Sequence, residues 1–430
     1  MRRVGRTRPR AHPGGVRDVG SFLRPRPAAP TALVLSGGGA RGSYEAGVLA
    51  GIVDALGLRP GDACPFGVFS GTSVGAINTT WAAANAHRGD LNVDELIRQW
   101  LALSLDTHLR IDVPGLLRLR EYGARVRRML GLGTDHGPRW GRSVVDSRPL
   151  ERIVSGAIDW QKLHENVERR LVHAAVVAAL EVSSGRTTLF AEVAPGVEFS
   201  PSRDPRRQAV WEPLTADHVL ASAAIPFLFP ARRVGREYYC DGGLRYSTPI
   251  APAIRCGAEH LVVISLLHRP GRAELLAEGR ERVDAYPNLI FLAGKLINAL
   301  LLDTVDYDLQ VLERLNTLLS VLERTVTPHE LEHVQQVLQR NRGMGYRMLH
   351  TLVFHPSVDI GAVAADQARR RRGRSAGSWA VTHLMRSGSV EDDLLSFLYF
   401  DSGFAQRLVE LGHRDARARA DEIRRFFDRS

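Results

Sequence analysis

The residues Gly71-Thr-Ser73-Val-Gly75 lie between an apolar run, which predicts a buried strand, and a helical pattern from Ala76 to Ala86. Glycines on both sides of one serine allow strand and helix to approach within van der Waals contact, where a Cβ would clash. This strand–turn–helix pattern is typical of a nucleophile elbow, a tight turn that exposes a serine hydroxyl. The N-terminus of the helix would direct its amides towards that hydroxyl. A plain glycine-rich turn remains the alternative for these five residues taken alone.

A second glycine motif follows the first predicted strand and precedes a predicted helix from Ser43 to Leu56. It consists of Gly37, Gly38, Gly39, Ala40, Arg41 and Gly42. The spacing matches a dinucleotide-binding turn, but the acidic residue expected about 20 positions further on is missing, because Asp54 comes too early and Asp62 lies in a Pro/Gly-rich turn. Alternatively, successive glycine amides at a helix N-terminus point at one oxygen atom and form an oxyanion hole.

The neighbouring elements favour the oxyanion hole. Strand, glycine loop, helix and second strand form one βαβ unit, and adjacent parallel strands place the loops that follow them at the same edge of the sheet. The elbow serine and the glycine amides would then share one crevice. A nucleotide site has no use for that serine.

Predicted strands and helices alternate from residue 31 to Leu266, which indicates an α/β fold with a mainly parallel central sheet. We therefore expect a catalytic α/β domain over residues 31–268. Helical patterns dominate beyond Pro270, so residues 269–430 are predicted to be mainly helical and to pack on or cap the catalytic domain. Residues 1–30 are rich in Pro, Gly and Arg and are predicted to form a disordered basic tail.

The charge is unevenly distributed along the chain. The first 30 residues carry eight arginines and one aspartate, a net charge of +7 out of +10, which leaves +3 for the remaining 400 residues. No nucleic-acid partner is therefore expected, whereas the tail is a candidate for peripheral contact with anionic membrane. The tail lacks the apolar core of a signal peptide, and no stretch approaches the ~20 apolar residues of a transmembrane helix. We expect a cytoplasmic protein. Its three cysteines fit no metal-site spacing: Cys64, Cys240 and Cys256.

A serine hydroxyl needs a base that removes its proton during attack. Either a histidine or an aspartate acting directly would serve. Asp241 follows a predicted strand and precedes two glycines, so its carboxylate would lie at the sheet edge where Ser73 is expected. A structural turn aspartate is the alternative. A triad would instead combine Ser73 with a downstream histidine such as His268 or His355.

The three motifs GGGARG, GTSVG and DGG, in this order, resemble those of the patatin-like phospholipases. The resemblance extends from about Ala32 to Leu266, and the segment Ser396–Asp401 is similar to the tail of bacterial members. One departure is Ser247, where the family pattern has Asn.

This resemblance implies a three-layer α/β/α fold and a serine lipid acyl hydrolase, a phospholipase A-type esterase that acts on phospholipid or another acyl-ester lipid without metal or organic cofactor. It places the nucleophile at Ser73, the base at Asp241 and the oxyanion hole at Gly37, Gly38, Gly39 and Arg41. The remaining motif residues are Gly42, Gly71, Gly75, Gly242 and Gly243. The alternatives are an esterase of the α/β-hydrolase type with a Ser-His-Asp triad, which would favour His before the glycine loop, and a nucleotide-binding module.

Overall fold

The computed structural model describes residues 29–103, 110–111, 145–146, 148–226, 229–269, 304–342, 344–370 and 396–428. The strands are β1 Thr31–Leu35, β2 Val68–Thr72, β3 Arg110–Ile111, β4 Val145–Asp146, β5 Ala174–Glu181, β6 Thr187–Val193, β7 Arg207–Trp211, β8 Arg232–Val234, β9 Glu237–Asp241, β10 His260–Ile264 and β11 His350–Phe354. The helices are α1 Gly42–Leu56, α2 Val74–Ala84, α3 Val93–Ala102, α4 Arg148–Ala157, α5 Trp160–Glu168, α6 Ala216–Ser222, α7 Ile250–Arg255, α8 Thr304–Thr325, α9 Pro328–Arg342, α10 Ile360–Arg370, α11 Ser402–Arg417 and α12 Ala420–Phe427.

Nine of these strands form one sheet. Seven lie side by side in the order β11-β10-β1-β2-β5-β6-β7, while β9 pairs with β5 and β8 pairs with β9. Neighbours from β11 to β5 are parallel. Helix α1 connects β1 to the adjacent β2, so the loops that follow these two strands lie at the same edge of the sheet. The predicted α/β fold with a mainly parallel sheet is confirmed.

Alternate residues of the central strands face two different cores. Leu33 and Leu35 of β1 pack in the core that includes α1 and α2, whereas Ala32 and Val34 pack in the core that includes α7 and α8. Every residue of β1 is buried, as expected for a parallel strand whose two faces are both covered. Helices therefore cover both faces of the sheet, which gives the three layers.

The sheet becomes antiparallel beyond β5. Strand β6 returns along β5 after the turn at Gly185, as the sequence Ser184-Gly185 between two apolar runs predicts. The polar, Pro- and Arg-rich sequence over Pro195–Gln208 predicts a loop, which is wrong at its end because β7 begins at Arg207 and pairs with β6. The residues of β7 are partly exposed, and an edge strand of this kind lacks the apolar run that marks a central strand.

The residues beyond 268 contribute to the same sheet and to its helical cover. Strand β11 pairs in parallel with β10. Helix α11 packs on α1, where the Tyr44 hydroxyl donates a hydrogen bond to Asp415 Oδ2 at 3.0 Å. A Cβ at Gly412 would lie 2.2 Å from the Tyr44 carbonyl oxygen, so the two helices approach closely. The predicted domain boundary at residue 268 stays a prediction.

The basic tail predicted over 1–30 lies almost wholly outside the described residues, and so do residues 270–303, 343 and 371–395 of the predicted helical region. Within the described part of the chain, no helix has both the length and the apolar character needed to cross a membrane.

Candidate active site

Ser73 lies between β2 and α2 with backbone angles φ 55° and ψ −126°. A positive φ is strained for a residue that carries a Cβ, so the surrounding packing must hold it in place. Cβ atoms at Gly71 and Gly75 would lie 2.3 Å from the carbonyl oxygen of Gly75 and 2.4 Å from that of Leu35, respectively. The helix lies directly against β1 and β2 because both positions are glycine. This is the strand–turn–helix arrangement that the motif predicts.

The sheet itself brings Asp241 to the elbow. Strands β2 and β9 pair with the same edge of β5, one after the other and in opposite directions. Thr72 ends β2 opposite Ala178, and Asp241 ends β9 opposite Ala179. The C-terminal ends of the two strands therefore meet head to head. Ser73, the next residue after Thr72, lies beside Asp241.

The Asp241 carboxyl is fully buried, and burial raises its pKa from 3.8 to about 7. Two groups lower this pKa, the Ser73 hydroxyl and the Gly243 N–H, which donates to Asp241 Oδ1 at 2.7 Å. Asp241 Oδ2 has no hydrogen-bond partner among the described residues. The Ser73 hydroxyl is thus close enough to favour the ionised carboxyl, although Oδ2 has no well-formed hydrogen bond in this geometry. Such contacts often tighten only when substrate binds.

Ser222, at the end of α6, is a site residue that the motifs did not indicate. Its hydroxyl accepts a hydrogen bond from the Ser73 N–H at 2.8 Å and donates one to the Ala178 carbonyl at 2.6 Å. It therefore ties the strained elbow to β5. No motif singled out Ser222, which lies in the segment Ala221-Ser-Ala-Ala-Ile-Pro226 inside the range that resembles the family.

The predicted oxyanion loop lies against the elbow. A Cβ at Gly37 would be 3.1 Å from the Cβ of Ser73. The Gly37 N–H donates to the Ser247 carbonyl at 3.1 Å, and the Arg41 N–H donates to the Gly38 carbonyl at 3.2 Å. In the described part of the chain, the amides of Gly38 and Gly39 have no acceptor. Two of the four predicted donors are therefore available to a ligand, and two are engaged.

The Arg41 side chain is buried and points away from solvent to the C-terminal part of the chain. Its Nε donates to Ser396 Oγ at 2.7 Å, and its guanidinium carbon lies 4.3 Å from the centroid of the Phe397 ring. Gly42 then opens α1, and a Cβ there would meet the side chains of Val74 and Trp100. Arg41 and Gly42 thus join the loop to its neighbours.

A buried polar network beneath the loop was also not predicted. Asn78 of α2 donates to Glu45 Oε2 at 2.8 Å and to the Gly42 carbonyl at 3.0 Å. The indole N–H of Trp100 donates to Asn78 Oδ1 at 3.0 Å. Burial raises the pKa of Glu45 well above its ordinary value, although the hydrogen bond from Asn78 lowers it. The network fixes α1, α2 and α3 relative to one another.

An apolar cavity opens at Ser73. It contains about 750 Å³ of empty space, part of it open to solvent. Apart from Ser73 and Gly39, aliphatic and aromatic side chains dominate its lining, among them Ile77, Trp100, Phe229 and Phe400. Its apolar lining suits an aliphatic ligand.

The two histidines considered for a triad bond to backbone carbonyls away from Ser73 in the described part of the chain. His268 Nδ1 bonds to the Pro356 carbonyl at 2.8 Å and His355 Nδ1 to the Leu267 carbonyl at 3.2 Å. No histidine in the described ranges forms a hydrogen bond with Ser73. Within the same ranges, no cluster of three or more His, Cys, Asp or Glu side chains is arranged to hold a metal ion.

A family model for the Patatin-like phospholipase family matches residues 33–254, slightly more than half of the chain. The chain belongs to the patatin-like phospholipase family. The resemblance that the three motifs carry is thereby confirmed.

One curated relative is a cGAMP-activated phospholipase of Pseudomonas aeruginosa (strain BWHPSA011 / Pa011). It is 30% identical over 219 residues, which cover 50% of this chain and 53% of the relative. The chain therefore spans about half the length of that relative.

Two solved structures are similar at low identity. VipD from Legionella pneumophila is 12% identical with a TM-score of 0.28, and the match covers 89% of this chain and 67% of VipD. Human GIVD cytosolic phospholipase A2 in complex with methyl gamma-linolenyl fluorophosphonate is 13% identical with a TM-score of 0.37, covering 93% of this chain and 58% of that one. Scores at this level carry no weight for fold or function.

Proposed function

We propose that this member of the family is a serine lipid acyl hydrolase that uses Ser73 and Asp241 as a dyad. The observation that carries the proposal is the meeting of these two residues at the mouth of an apolar cavity. Membership of the phospholipase family supports a hydrolase that acts on ester bonds. The apolar lining supports a substrate with an aliphatic acyl chain.

In the proposed reaction, Ser73 Oγ attacks the ester carbonyl carbon while Asp241 Oδ2 accepts the hydroxyl proton. The tetrahedral intermediate then collapses, its bond to the leaving oxygen breaks, and Asp241 returns the proton to the leaving alcohol. Asp241 next removes a proton from a water molecule, which attacks the acyl-Ser73 ester. The fatty acid leaves and Ser73 recovers its proton.

Burial supports the role of Asp241 in this reaction. An exposed aspartate, with its pKa near ~3.9, is a weak base towards an alcohol. A pKa of about 7 makes the Asp241 carboxylate a stronger proton acceptor that is still substantially ionised at neutral pH. Its free Oδ2 leaves one acceptor position for the serine proton.

For the oxyanion we propose the amides of Gly38 and Gly39 as donors, because neither has an acceptor in the described structure. Gly37 and Arg41, predicted with them, would contribute only if their present backbone hydrogen bonds were broken. Each donor of this kind contributes on the order of 3 kcal/mol to the stability of the transition state.

Labelling with a fluorophosphonate tests the nucleophile directly. The reagent should modify Ser73, so Ser73→Ala should remove both labelling and ester hydrolysis, and Asp241→Asn should remove hydrolysis. The matched controls are Ser320→Ala and Asp217→Asn, which change a partly exposed serine and an exposed aspartate outside the cavity lining and should hydrolyse esters as the wild type does. Because the Pseudomonas relative is described as cGAMP-activated, each assay is run with and without cGAMP.

Three results would contradict the proposal. Modification of a different serine would contradict the assignment of Ser73 as the nucleophile. Normal turnover in Asp241→Asn would contradict the assignment of Asp241 as the base. A folded His268→Ala or His355→Ala variant without turnover would favour a triad.

The basic tail is also proposed, from the sequence, to bind anionic membrane. Removal of residues 1–28 should weaken binding to phosphatidylserine vesicles at low salt, and the difference should fade as salt rises. Equal binding of the full-length and shortened chains at low salt would reject this role.

A further inference from the structure

The segment Ser396–Phe400, here called the C-terminal wall, lies beside the glycine loop although more than 350 residues separate them in the chain. Arg41 Nε donates to Ser396 Oγ at 2.7 Å, and the Arg41 guanidinium stacks on the Phe397 ring. The Phe397 carbonyl oxygen lies so close to Gly39 that a Cβ there would be 2.3 Å away. The wall is thus in direct contact with the proposed oxyanion donors.

The wall is also fixed at its other end. Asp401 follows it and caps α11, because Asp401 Oδ1 accepts from the Phe404 N–H at 3.0 Å. The rings of Tyr399 and Phe404 are 5.6 Å apart. Since α11 packs on α1, the wall is held between the glycine loop and a helix of the core. Contacts at both of its ends therefore hold the wall in place.

Two aromatic side chains of the wall, Phe397 and Phe400, line the cavity that opens at Ser73. The Phe400 ring lies parallel to that of Trp100, with centroids 6.5 Å apart and an interplanar angle of 6°. The hydrogen bond from Trp100 to Asn78 Oδ1 fixes the indole in turn. The cavity is therefore bounded on this side by stacked rings whose positions are set by contacts outside it.

We propose that the C-terminal wall, through Phe400 stacked on Trp100, determines which fatty acyl chains the cavity accepts. This proposal rests on the proposed hydrolase function, because it concerns the acyl group that Ser73 would receive. A rigid aromatic boundary limits the length and bulk of a bound chain, since close-packed side chains do not yield at low energetic cost. A change of one or two methylene-sized groups in such a pocket alters discrimination between substrates by about tenfold or more.

The substitutions that test the wall are made at Phe400, which is only partly buried and carries no proposed catalytic role. Phe400→Ala enlarges the cavity and should raise the ratio of kcat/KM for p-nitrophenyl palmitate to that for p-nitrophenyl butyrate about tenfold. Phe400→Trp narrows it and should lower the same ratio. Phe400→Leu keeps an apolar side chain and removes the stacked ring, so it tests the wall if the alanine variant folds poorly.

Phe426→Ala is the matched control. Phe426 is also a partly buried aromatic residue packed against the same core, but it contacts His260 and Phe427 instead of the cavity. Its ratio should equal that of wild type. If all three Phe400 variants hydrolyse esters with the wild-type ratio, the proposal that the wall determines acyl-chain selectivity is refuted. The proposed hydrolase function would be unaffected.

A binding measurement separates this proposal from the hydrolase proposal. Displacement of cis-parinaric acid by butyrate and palmitate is measured in the Ser73→Ala background, with and without Phe400→Ala. A shift of binding preference towards palmitate in the double variant supports a role of the wall in acyl-chain selectivity, even if the wild-type protein hydrolyses no ester. A lack of hydrolysis would refute only the proposed hydrolase function. An unchanged preference between butyrate and palmitate refutes the proposed role of the wall in selectivity.

Discussion

The substitution Asp241→Asn keeps the shape of a fully buried carboxyl and removes its charge. Burial raises the pKa of Asp241 from 3.8 to about 7. The folded state therefore resists ionisation of this group, whereas the unfolded chain ionises it freely above about pH 4. The difference between the two pKa values corresponds to about 4 kcal/mol, at about 1.4 kcal/mol for each factor of ten in proton affinity.

The sign of the effect follows from the raised pKa. Below about pH 4 the carboxyl is neutral in both states and destabilises neither. As the pH rises from about 4 to about 7, Asp241 ionises in the unfolded state but not in the folded state. Ionisation lowers the free energy of the unfolded state, so the free energy of unfolding of the wild type falls, by about 4 kcal/mol in all. Asparagine does not ionise. Relative to wild type, Asp241→Asn should therefore gain about 2 kcal/mol at about pH 5 and about 4 kcal/mol above about pH 8.

Urea denaturation of both proteins at the two pH values measures this gain, and Asp94→Asn, which changes an exposed aspartate that forms no ion pair with the described residues, is the control. The same difference in unfolding free energy at both pH values would refute the raised pKa. Hydrolysis by a stabilised Asp241→Asn protein would refute its role as the base. A more stable and inactive variant is the expected result.

Three further effects are expected. The kcat/KM for ester hydrolysis should rise with pH through about 7, because Asp241, as the proposed base, must lose its own proton before it accepts one from Ser73. An acid limb near ~4 in the pH–rate profile would contradict a pKa raised by burial. Ser222→Ala should lower kcat about tenfold with little change in KM, because the Ser73 N–H loses its acceptor and the elbow shifts; unchanged steady-state kinetics would show that the hydrogen bond does not position Ser73. Gly75→Ala should destabilise the fold by about 3 kcal/mol, because its Cβ would lie 2.4 Å from a carbonyl oxygen of β1, and a melting temperature equal to that of wild type would contradict this.

Much of the N-terminal half was predictable because the constraints on its residues are local. Atoms of the same βαβ unit leave no room for a Cβ at Gly71 or Gly75. The spacing of the apolar residues indicates the strand–turn–helix order. The central strands are buried on both faces, so they are continuous apolar runs. In contrast, β7 was missed because its partly exposed residues form an edge strand whose stability depends on pairing with β6.

The sequence by itself determined the elbow at Ser73, the glycine loop and the order of strands and helices, because adjacent residues impose these features on one another. Only the tertiary structure decided what surrounds them. The head-to-head meeting of β2 and β9 depends on pairing along β5. The hydrogen bond from Ser73 to Ser222 spans 149 positions, and that from Arg41 to Ser396 spans 355. Contacts at such separations leave no periodic trace in the sequence, since they depend on how whole elements pack.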